Sequence, residues 1–304
     1  MKVFDNDINF SQLRRSVLMP SVTELLTQPR SRPFVVLDFS PPRGGIPHLL
    51  SDAFSLTPDL FSIAYNPGKS VRANPIMVAH WIQNNTGIPA VFTLATRDMN
   101  KRALQGILLG AQLIGLDNVV SVMGDELKSS EKLSQKTISD FTASGFVSSI
   151  KQMNTRVDFR DRFLRHPTGF CVGATIDLSR DWSGEIPLTR KKVTAGADFF
   201  LSQPVFDTSQ PEQFMERYFK ETGCRLETPV MWGVQVKVQD SVSLVPVPDW
   251  VHNDLKQGRS GFEIALQIIS EHTDYGFDTF YLVPPILRGG TRDYESAQAV
   301  IDEL

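Results

Sequence analysis

The fold of this chain is decided by residues 92–126, FTLATRDMNKRALQGILLGAQLIGLDNVVSVMGDE. This stretch continues an apolar run at 90–94 and ends with a second apolar run at 118–122, and both runs are typical of strands. Between them, apolar residues recur at helical spacing: Leu104, Ile107, Leu108, Ala111 and Ile114. The order predicts a βαβ unit, and residues just past a parallel strand line the ligand crevice, so we expect Gly124 and Asp125 to lie at a functional site. A helix N-cap fits Asp125 equally well by position alone.

The rest of the chain repeats this alternation of strand and helix. Strands are predicted at 34–39, 60–65, 90–94, 118–122, 170–175, 198–202, 229–234 and 279–283. Helices are predicted at 74–84, 101–113, 139–153, 188–195, 211–222, 249–257, 261–272 and 293–304. The strands are too continuously apolar to keep one face in water, so helices must cover the sheet. We therefore predict an α/β fold, a single (β/α)8 TIM barrel catalytic domain over residues 1–304.

Long connections follow three of the predicted strands. They are residues 126–136, 176–185 and 237–260. The first is polar and fits a mobile flap over the barrel mouth or a solvated excursion. A charged segment at 149–165 places Asp158 four residues before Arg162, which predicts a solvated helix face rather than a phosphate site.

Composition excludes several classes of protein. The net charge is -3 and the pI is near 6.0, so we expect no nucleic-acid partner. Cys171 and Cys224 lack metal-ligand spacing and indicate a reducing compartment. No apolar run has the length of a signal peptide or a membrane span, so we expect a cytoplasmic protein without membrane contact.

Familiar catalytic motifs are missing from the sequence. NPGKS at residues 66–70 resembles the end of a phosphate-binding P-loop, but Ile63 stands where that loop requires glycine. The five histidines show no zinc-binding spacing, so we expect no metal site. Neither a GxSxG elbow nor a dinucleotide-binding GxGxxG occurs.

Polar residues at strand ends remain as candidates: Asp38 within the first strand, Asp125 after the fourth and Gln203 after the sixth. An unpaired carboxylate inside a barrel strand is costly, so Asp38 should be paired, protonated or facing the cavity. Burial would also raise the pKa of Asp38 toward the range of a general acid.

Six segments, in this order, resemble the methylenetetrahydrofolate reductase family. They are LDFSPPR (37–43), SIAYNPG (62–68), TLATRD (93–98), ALQGILLGAQLIGLDNVVSVMGD (103–125), RKKVTAGADFFLSQPVFD (190–207) and FYLVPPILRGGTRDYESAQAVIDEL (280–304). The resemblance covers almost the whole chain and implies a (β/α)8 barrel. It also implies hydride transfer from NADH or NADPH, through bound FAD, to 5,10-methylenetetrahydrofolate, giving 5-methyltetrahydrofolate, or the reverse reaction.

The resemblance assigns three catalytic residues. Asp38 matches a family glutamate that protonates the departing ring nitrogen, but its arm is one methylene shorter. Asp125 matches an aspartate whose charge favours the cationic iminium that accepts the hydride. Gln203 matches a glutamine that holds the pterin ring.

The resemblance also assigns the cofactor contacts. They are Tyr65, Thr93, Met123, Gly124, Asp125, Glu185, Lys191 and Lys192, with the lysines suited to a pyrophosphate. Several polar family residues are replaced, by Ala64, Thr93, Met123 and Leu188. FAD is the expected cofactor, and flavin-independent transfer from NAD(P)H is an alternative.

The expected partners are the folate substrate and the nicotinamide nucleotide, with a homo-oligomer or a redox or methyltransferase partner subunit as further possibilities. One rival hypothesis is a folate-binding subunit of such a complex without hydride chemistry. Another is an unrelated barrel lyase or aldolase, but Lys191 and Lys192 precede a predicted strand, which argues against a Schiff base.

Overall fold

Eight parallel strands close into a barrel in the computed structural model, which describes residues 19–125 and 137–304. The strands are β1 (Phe34–Phe39), β2 (Leu60–Ile63), β3 (Ala90–Ala95), β4 (Asn118–Val122), β5 (Cys171–Ile176), β6 (Phe199–Pro204), β7 (Val230–Gln235) and β8 (Thr279–Val283). Each strand pairs with its neighbour in the chain, and β8 pairs with β1. The prediction of a (β/α)8 barrel is confirmed, while the predicted flap at 126–136 lies outside the described residues.

Helices surround this barrel. They are α1 (Val22–Leu26), α2 (Pro75–Thr86), α3 (Lys101–Leu113), α4 (Ala143–Asn154), α5 (Trp182–Thr194), α6 (Gln210–Thr222), α7 (Asp249–Lys256), α8 (Gly261–Asp274) and α9 (Tyr294–Glu303), with 3-10 helices at Pro47–Ser55 and Pro67–Lys69. Side chains at many N-caps accept a hydrogen bond from the first helical turn, as Asn100 does for α3 and Asp181 for α5. Within the described residues, no helix combines the length and apolarity needed to cross a membrane.

The apolar core has two layers because side chains alternate across each strand. In β1, Val35, Leu37 and Phe39 pack outward against the helices. Phe34 and Val36 point inward and join the cluster that fills the barrel. The same alternation directs the side chain of Asp38, two residues after Val36, into the barrel interior.

Three predicted boundaries need correction. β2 ends at Ile63 rather than at residue 65, because Asn66 is left-handed, with φ of 41°, and turns the chain before Pro67. α4 begins at Ala143 rather than at 139. α5 begins at Trp182 rather than at 188, so the predicted long connection at 176–185 is partly helical.

The charged segment at 149–165 is not a continuous helix, so the predicted solvated helix face is wrong beyond the end of α4. After α4 the chain makes a short antiparallel contact between Val157 and Phe163. The carboxylate of Asp158 accepts hydrogen bonds from the backbone N–H groups of Arg160 (2.8 Å) and Arg162 (3.0 Å). Aspartate thus binds its own backbone in a turn and competes with the helix.

Candidate functional site

Asp38 lies in β1 and is almost fully buried, with 4% of its surface exposed. The hydroxyl of Tyr281, in β8, donates a hydrogen bond to Oδ1 of Asp38 at 2.8 Å. A guanidinium nitrogen of Arg292 lies 3.2 Å from Oδ2, and both side chains of this ion pair are more than nine-tenths buried. Of the three states predicted for Asp38, the structure therefore confirms the paired one.

Tyr281 and Arg292 were missed by sequence reasoning. Burial, with the Asp38 carboxylate second, raises the pKa of Tyr281 well above its ordinary value, so this hydroxyl keeps its proton at neutral pH. Arg292 reaches the site on a hairpin-like connection, in which Ile286 and Arg292 pair and Gly289 and Gly290 adopt positive φ. The alternation of β8 could have indicated Tyr281, but no sequence signal indicated Arg292.

Gln203 lies at a bulge in β6 and is half-buried. The bulge inserts one extra residue between the pairs Leu201–Met231 and Pro204–Gly233. A Cβ on Gly233 would come within 2.5 Å of the Gln203 carbonyl oxygen, so this close approach requires glycine. Gly233 is also the ladder partner of Tyr281, so β6, β7, β8 and β1 bring Gln203 and Asp38 to one side of the barrel.

Asp125 lies just past β4 with its side chain exposed. It is held through its backbone, because the Arg97 guanidinium donates a hydrogen bond to the Asp125 carbonyl oxygen. Gly124 has a φ of +90°, and a Cβ there would lie 3.2 Å from Cβ of Ala95. The next described helix, α4, is capped by Thr142, so Asp125 is not the N-cap of that helix.

Arg97 connects Asp125 to the ends of β2 and β3. Its guanidinium binds both carboxylate oxygens of Asp98, at 2.7 and 2.8 Å. This interaction lowers the pKa of Asp98. Burial, followed by the Asp98 charge and a hydrogen bond to Asp98, raises the pKa of Tyr65 to about 12. A second polar group therefore lies at the ends of β2, β3 and β4, on the other side of Asp38 from Gln203. It consists of Tyr65, Arg97, Asp98 and Asp125.

The two lysines expected to meet a pyrophosphate do not converge. The ammonium group of Lys192 is buried and donates hydrogen bonds to the Thr175 carbonyl oxygen (2.6 Å) and to Glu185 (3.3 Å). Burial lowers the pKa of Lys192, and Glu185 partly offsets this effect. Lys191 is exposed beside a groove between α4 and α5.

The other residues expected at a flavin lie at the ends of the adjacent strands β2, β3 and β4. Thr93 is half-buried in β3, whereas Met123 is exposed past β4. Neither expected lysine is a free buried cation, since Lys192 is paired with Glu185 and Lys191 is exposed. As arranged, Lys191 and Lys192 do not form the pyrophosphate site expected for FAD.

A family model described as methylenetetrahydrofolate reductase matches residues 24–266, which is most of the chain. The chain belongs to the methylenetetrahydrofolate reductase family. A curated relative, methylenetetrahydrofolate reductase 2 of Schizosaccharomyces pombe, is 25% identical over 207 residues, or 62% of this chain and 30% of the relative. The chain thus matches less than a third of that protein.

Solved structures with the same fold are more distant in sequence. An uncharacterized protein from Clostridium thermocellum, described as binding two copies of 5-methyl-5,6,7,8-tetrahydrofolic acid, has a TM-score of 0.62 and 14% identity, covering 92% of this chain and 97% of that one. A 2,3-dimethylmalate lyase has a TM-score of 0.53 and 12% identity, covering 92% and 82% of the two chains. These similarities support the barrel fold alone.

Proposed function

We propose that this chain is an oxidoreductase that reduces methylenetetrahydrofolate to methyltetrahydrofolate, or runs the reverse reaction, by hydride transfer. The observation that carries the proposal is the family match over residues 24–266. The candidate residues support it, since Asp38 and Gln203 are linked through adjacent strands and Asp125 lies at the end of β4. Carboxyl ends of barrel strands are where such enzymes bind their substrates.

Gln203 is proposed to bind the pterin ring. Its amide offers both a donor and an acceptor, which suits a heterocycle with alternating polar edges. The bulge in β6 and the close packing of Gly233 fix the backbone of Gln203. A fixed backbone lowers the entropy lost when the side chain orders around a ligand.

Asp125 is proposed to stabilise the cationic iminium that accepts the hydride. Arg97 holds the backbone oxygen of Asp125, so the exposed carboxylate is left to face the substrate. A negative charge placed next to a developing positive charge lowers the barrier of the chemical step. Asp38 is proposed to serve the other end of the reaction, protonation of the departing ring nitrogen.

The proposed source of the hydride is a reduced nicotinamide nucleotide in the cytoplasm. Direct transfer from this nucleotide is favoured over a flavin route by one specific observation. Lys192, expected at a flavin pyrophosphate, is already paired with Glu185 in a buried position. The absorption spectrum of the purified protein tests this choice, because bound oxidised flavin gives a visible band and protein without flavin is colourless.

The test of function is turnover of methylenetetrahydrofolate with NADH or NADPH, followed through nucleotide oxidation. Asp125→Asn is expected to lower turnover about 100-fold while binding of methyltetrahydrofolate persists. Asp302→Asn, which makes the same charge change at an exposed position of α9, is the control and should leave turnover unchanged. Equal turnover in the Asp125→Asn variant and the unmodified protein would contradict the assignment.

A second candidate is a folate-binding subunit without hydride chemistry. It is favoured by the pairing of Lys192 with Glu185, away from a cofactor, and by the shared fold of the Clostridium thermocellum protein, which is described as binding methyltetrahydrofolate. Calorimetric binding of methyltetrahydrofolate, with no turnover from any electron donor, would select this candidate.

A further inference from the structure

The carboxyl group of Asp38 is poorly placed to transfer a proton directly to a substrate nitrogen. Asp38 is one methylene shorter than glutamate, and 4% of its surface is exposed. Proton transfer needs the two heavy atoms within about 2.6–3.2 Å, or one bridging group between them. Arg292 occupies the space next to Oδ2, so a substrate nitrogen has little room to approach that oxygen directly.

Tyr281 lies where a bridging group would be needed. Its hydroxyl is 2.8 Å from Oδ1 of Asp38, and Tyr281 as a whole is half-buried, whereas Asp38 is buried. Its neighbour in the β7–β8 ladder is Gly233, and the Gln203 backbone packs against Gly233 so closely that a Cβ there would lie 2.5 Å from the Gln203 carbonyl oxygen. The phenol therefore lies between the buried carboxylate and the side of the barrel that carries Gln203.

We propose that Tyr281 relays the proton between Asp38 and the departing nitrogen of the folate ring. This inference rests on the proposed function. In the reductive direction, the acid form of Asp38 gives its proton to the Tyr281 oxygen while the Tyr281 hydroxyl proton passes to the nitrogen. The carbon–nitrogen bond breaks with its electron pair on that nitrogen, and the iminium that forms accepts the hydride.

After the relay, Tyr281 is again a neutral phenol and Asp38 is a carboxylate. This is the arrangement in the structure, with the Tyr281 hydroxyl donating to Asp38 and Arg292 beside Oδ2. The charge of Arg292 stabilises the carboxylate that the step creates. In the oxidative direction the same groups accept the proton in reverse order.

The first experiment compares two half-buried tyrosines in the full chain. Tyr281→Phe removes the relay hydroxyl and is expected to lower turnover about 100-fold, with methyltetrahydrofolate binding kept. Tyr294→Phe removes a hydroxyl that accepts a hydrogen bond from the Ser40 N–H at 2.8 Å. This control is expected to lower thermal stability but to keep turnover per folded molecule.

The second experiment is a rescue. In Tyr281→Phe the place of the hydroxyl is vacant, and Asp38→Glu extends the acid by about 1.5 Å. The double variant Asp38→Glu with Tyr281→Phe is expected to recover at least 10-fold in turnover over Tyr281→Phe alone. A merely structural role for Tyr281 predicts no recovery.

A third measurement uses the unmodified protein and does not depend on any variant folding. The relay moves two protons in one step, so turnover should depend on the fraction of heavy water along a curve rather than a straight line. A linear or flat dependence, full turnover in Tyr281→Phe, or failure of the rescue would each overturn the relay. If the unmodified protein binds folate but never turns over, the proposed function is overturned and the relay with it.

Discussion

The two sides of the barrel mouth hold their carboxylates in opposite ways. Asp38, on the side of β8 and β1, is buried and is held by side-chain partners, the Tyr281 hydroxyl and the Arg292 guanidinium. Asp125, past β4, is exposed and is held through its backbone oxygen by Arg97. The Asp38 carboxylate is therefore fixed and shielded from water, whereas Asp125 has a fixed backbone and a solvent-exposed carboxylate.

This difference suits two kinds of chemistry. A proton carrier has to keep its distance to the next atom within a narrow range, and partners on both oxygens of Asp38 provide that constraint. An electrostatic stabiliser has to face the reacting centre without being neutralised by a nearby cation. The Asp125 carboxylate meets this requirement, because the charge of nearby Arg97 is paired with Asp98.

The largest expected effect is on the free energy of unfolding, which should fall much more when Asp38 is removed than when Asp125 is removed. Asp38→Ala leaves Arg292 buried without its partner and should lower the free energy of unfolding by about 3–5 kcal/mol. Asp125→Ala removes an exposed side chain and should change it by less than about 0.5 kcal/mol. Urea unfolding measures both variants, and similar losses would break the comparison.

His272 sharpens the comparison because it is buried, like Asp38, but is surrounded by the aromatic rings of Phe277 and Phe280. Burial lowers the pKa of His272 from 6.5 to about 4, and Glu271 with the Val205 backbone offsets part of that effect. The unfolded chain therefore binds a proton more readily between these two values. Stability should be fully present above pH 6.5 and fall by roughly 3 kcal/mol as the pH drops to about 4.

The measurement is urea unfolding across this pH range in the unmodified protein and in His272→Leu. The variant should lose the pH dependence that is due to this histidine. Parallel pH profiles for the two proteins would mean that His272 is not the group responsible.

Arg97→Lys tests the other side of the mouth. Lysine cannot bind both oxygens of Asp98 and also reach the Asp125 carbonyl, so we expect a loss of about 2 kcal/mol in unfolding free energy. Arg217→Lys, in the exposed pair with Glu221 on α6, is the matched control and should cost less than about 0.5 kcal/mol. Equal effects would show that Arg97 does not organise this side.

The smallest effect concerns Gly124. Its φ of +90° and the nearby Cβ of Ala95 make Gly124→Ala strained, with an expected cost of about 1–2 kcal/mol. Gly45→Ala is the control, because a Cβ there meets no atom within 4 Å. Thermal unfolding of both variants should show a lower midpoint for Gly124→Ala alone.

Sequence patterns predicted most of the fold. All eight strands were located within two residues of their ends, because buried parallel strands are continuous apolar runs between turn residues. The start of α5 was missed because Pro187, within that helix, resembles a helix breaker. The helix predicted around Asp158 failed because its carboxylate binds nearby backbone N–H groups instead.

The candidate site was predicted only in part. Asp38, Asp125 and Gln203 follow from polar residues at strand ends and from the family resemblance. Their partners do not, because Tyr281 lies 243 residues from Asp38 and meets it only when the barrel closes. The positions of Lys191 and Lys192 also could not be predicted, because adjacent helical residues point in different directions.

The central claim is that Asp38, Asp125 and Gln203 serve a single folate site at the carboxyl end of the barrel. A crystal structure of the chain with bound methyltetrahydrofolate tests this claim most directly. We predict the pterin ring hydrogen-bonded to Gln203 and facing the Asp125 carboxylate, with the Tyr281 hydroxyl next to the nitrogen that leaves. A pterin bound elsewhere, such as in the cavity between α6 and the start of β8 that Phe219 and Phe277 line, would contradict it.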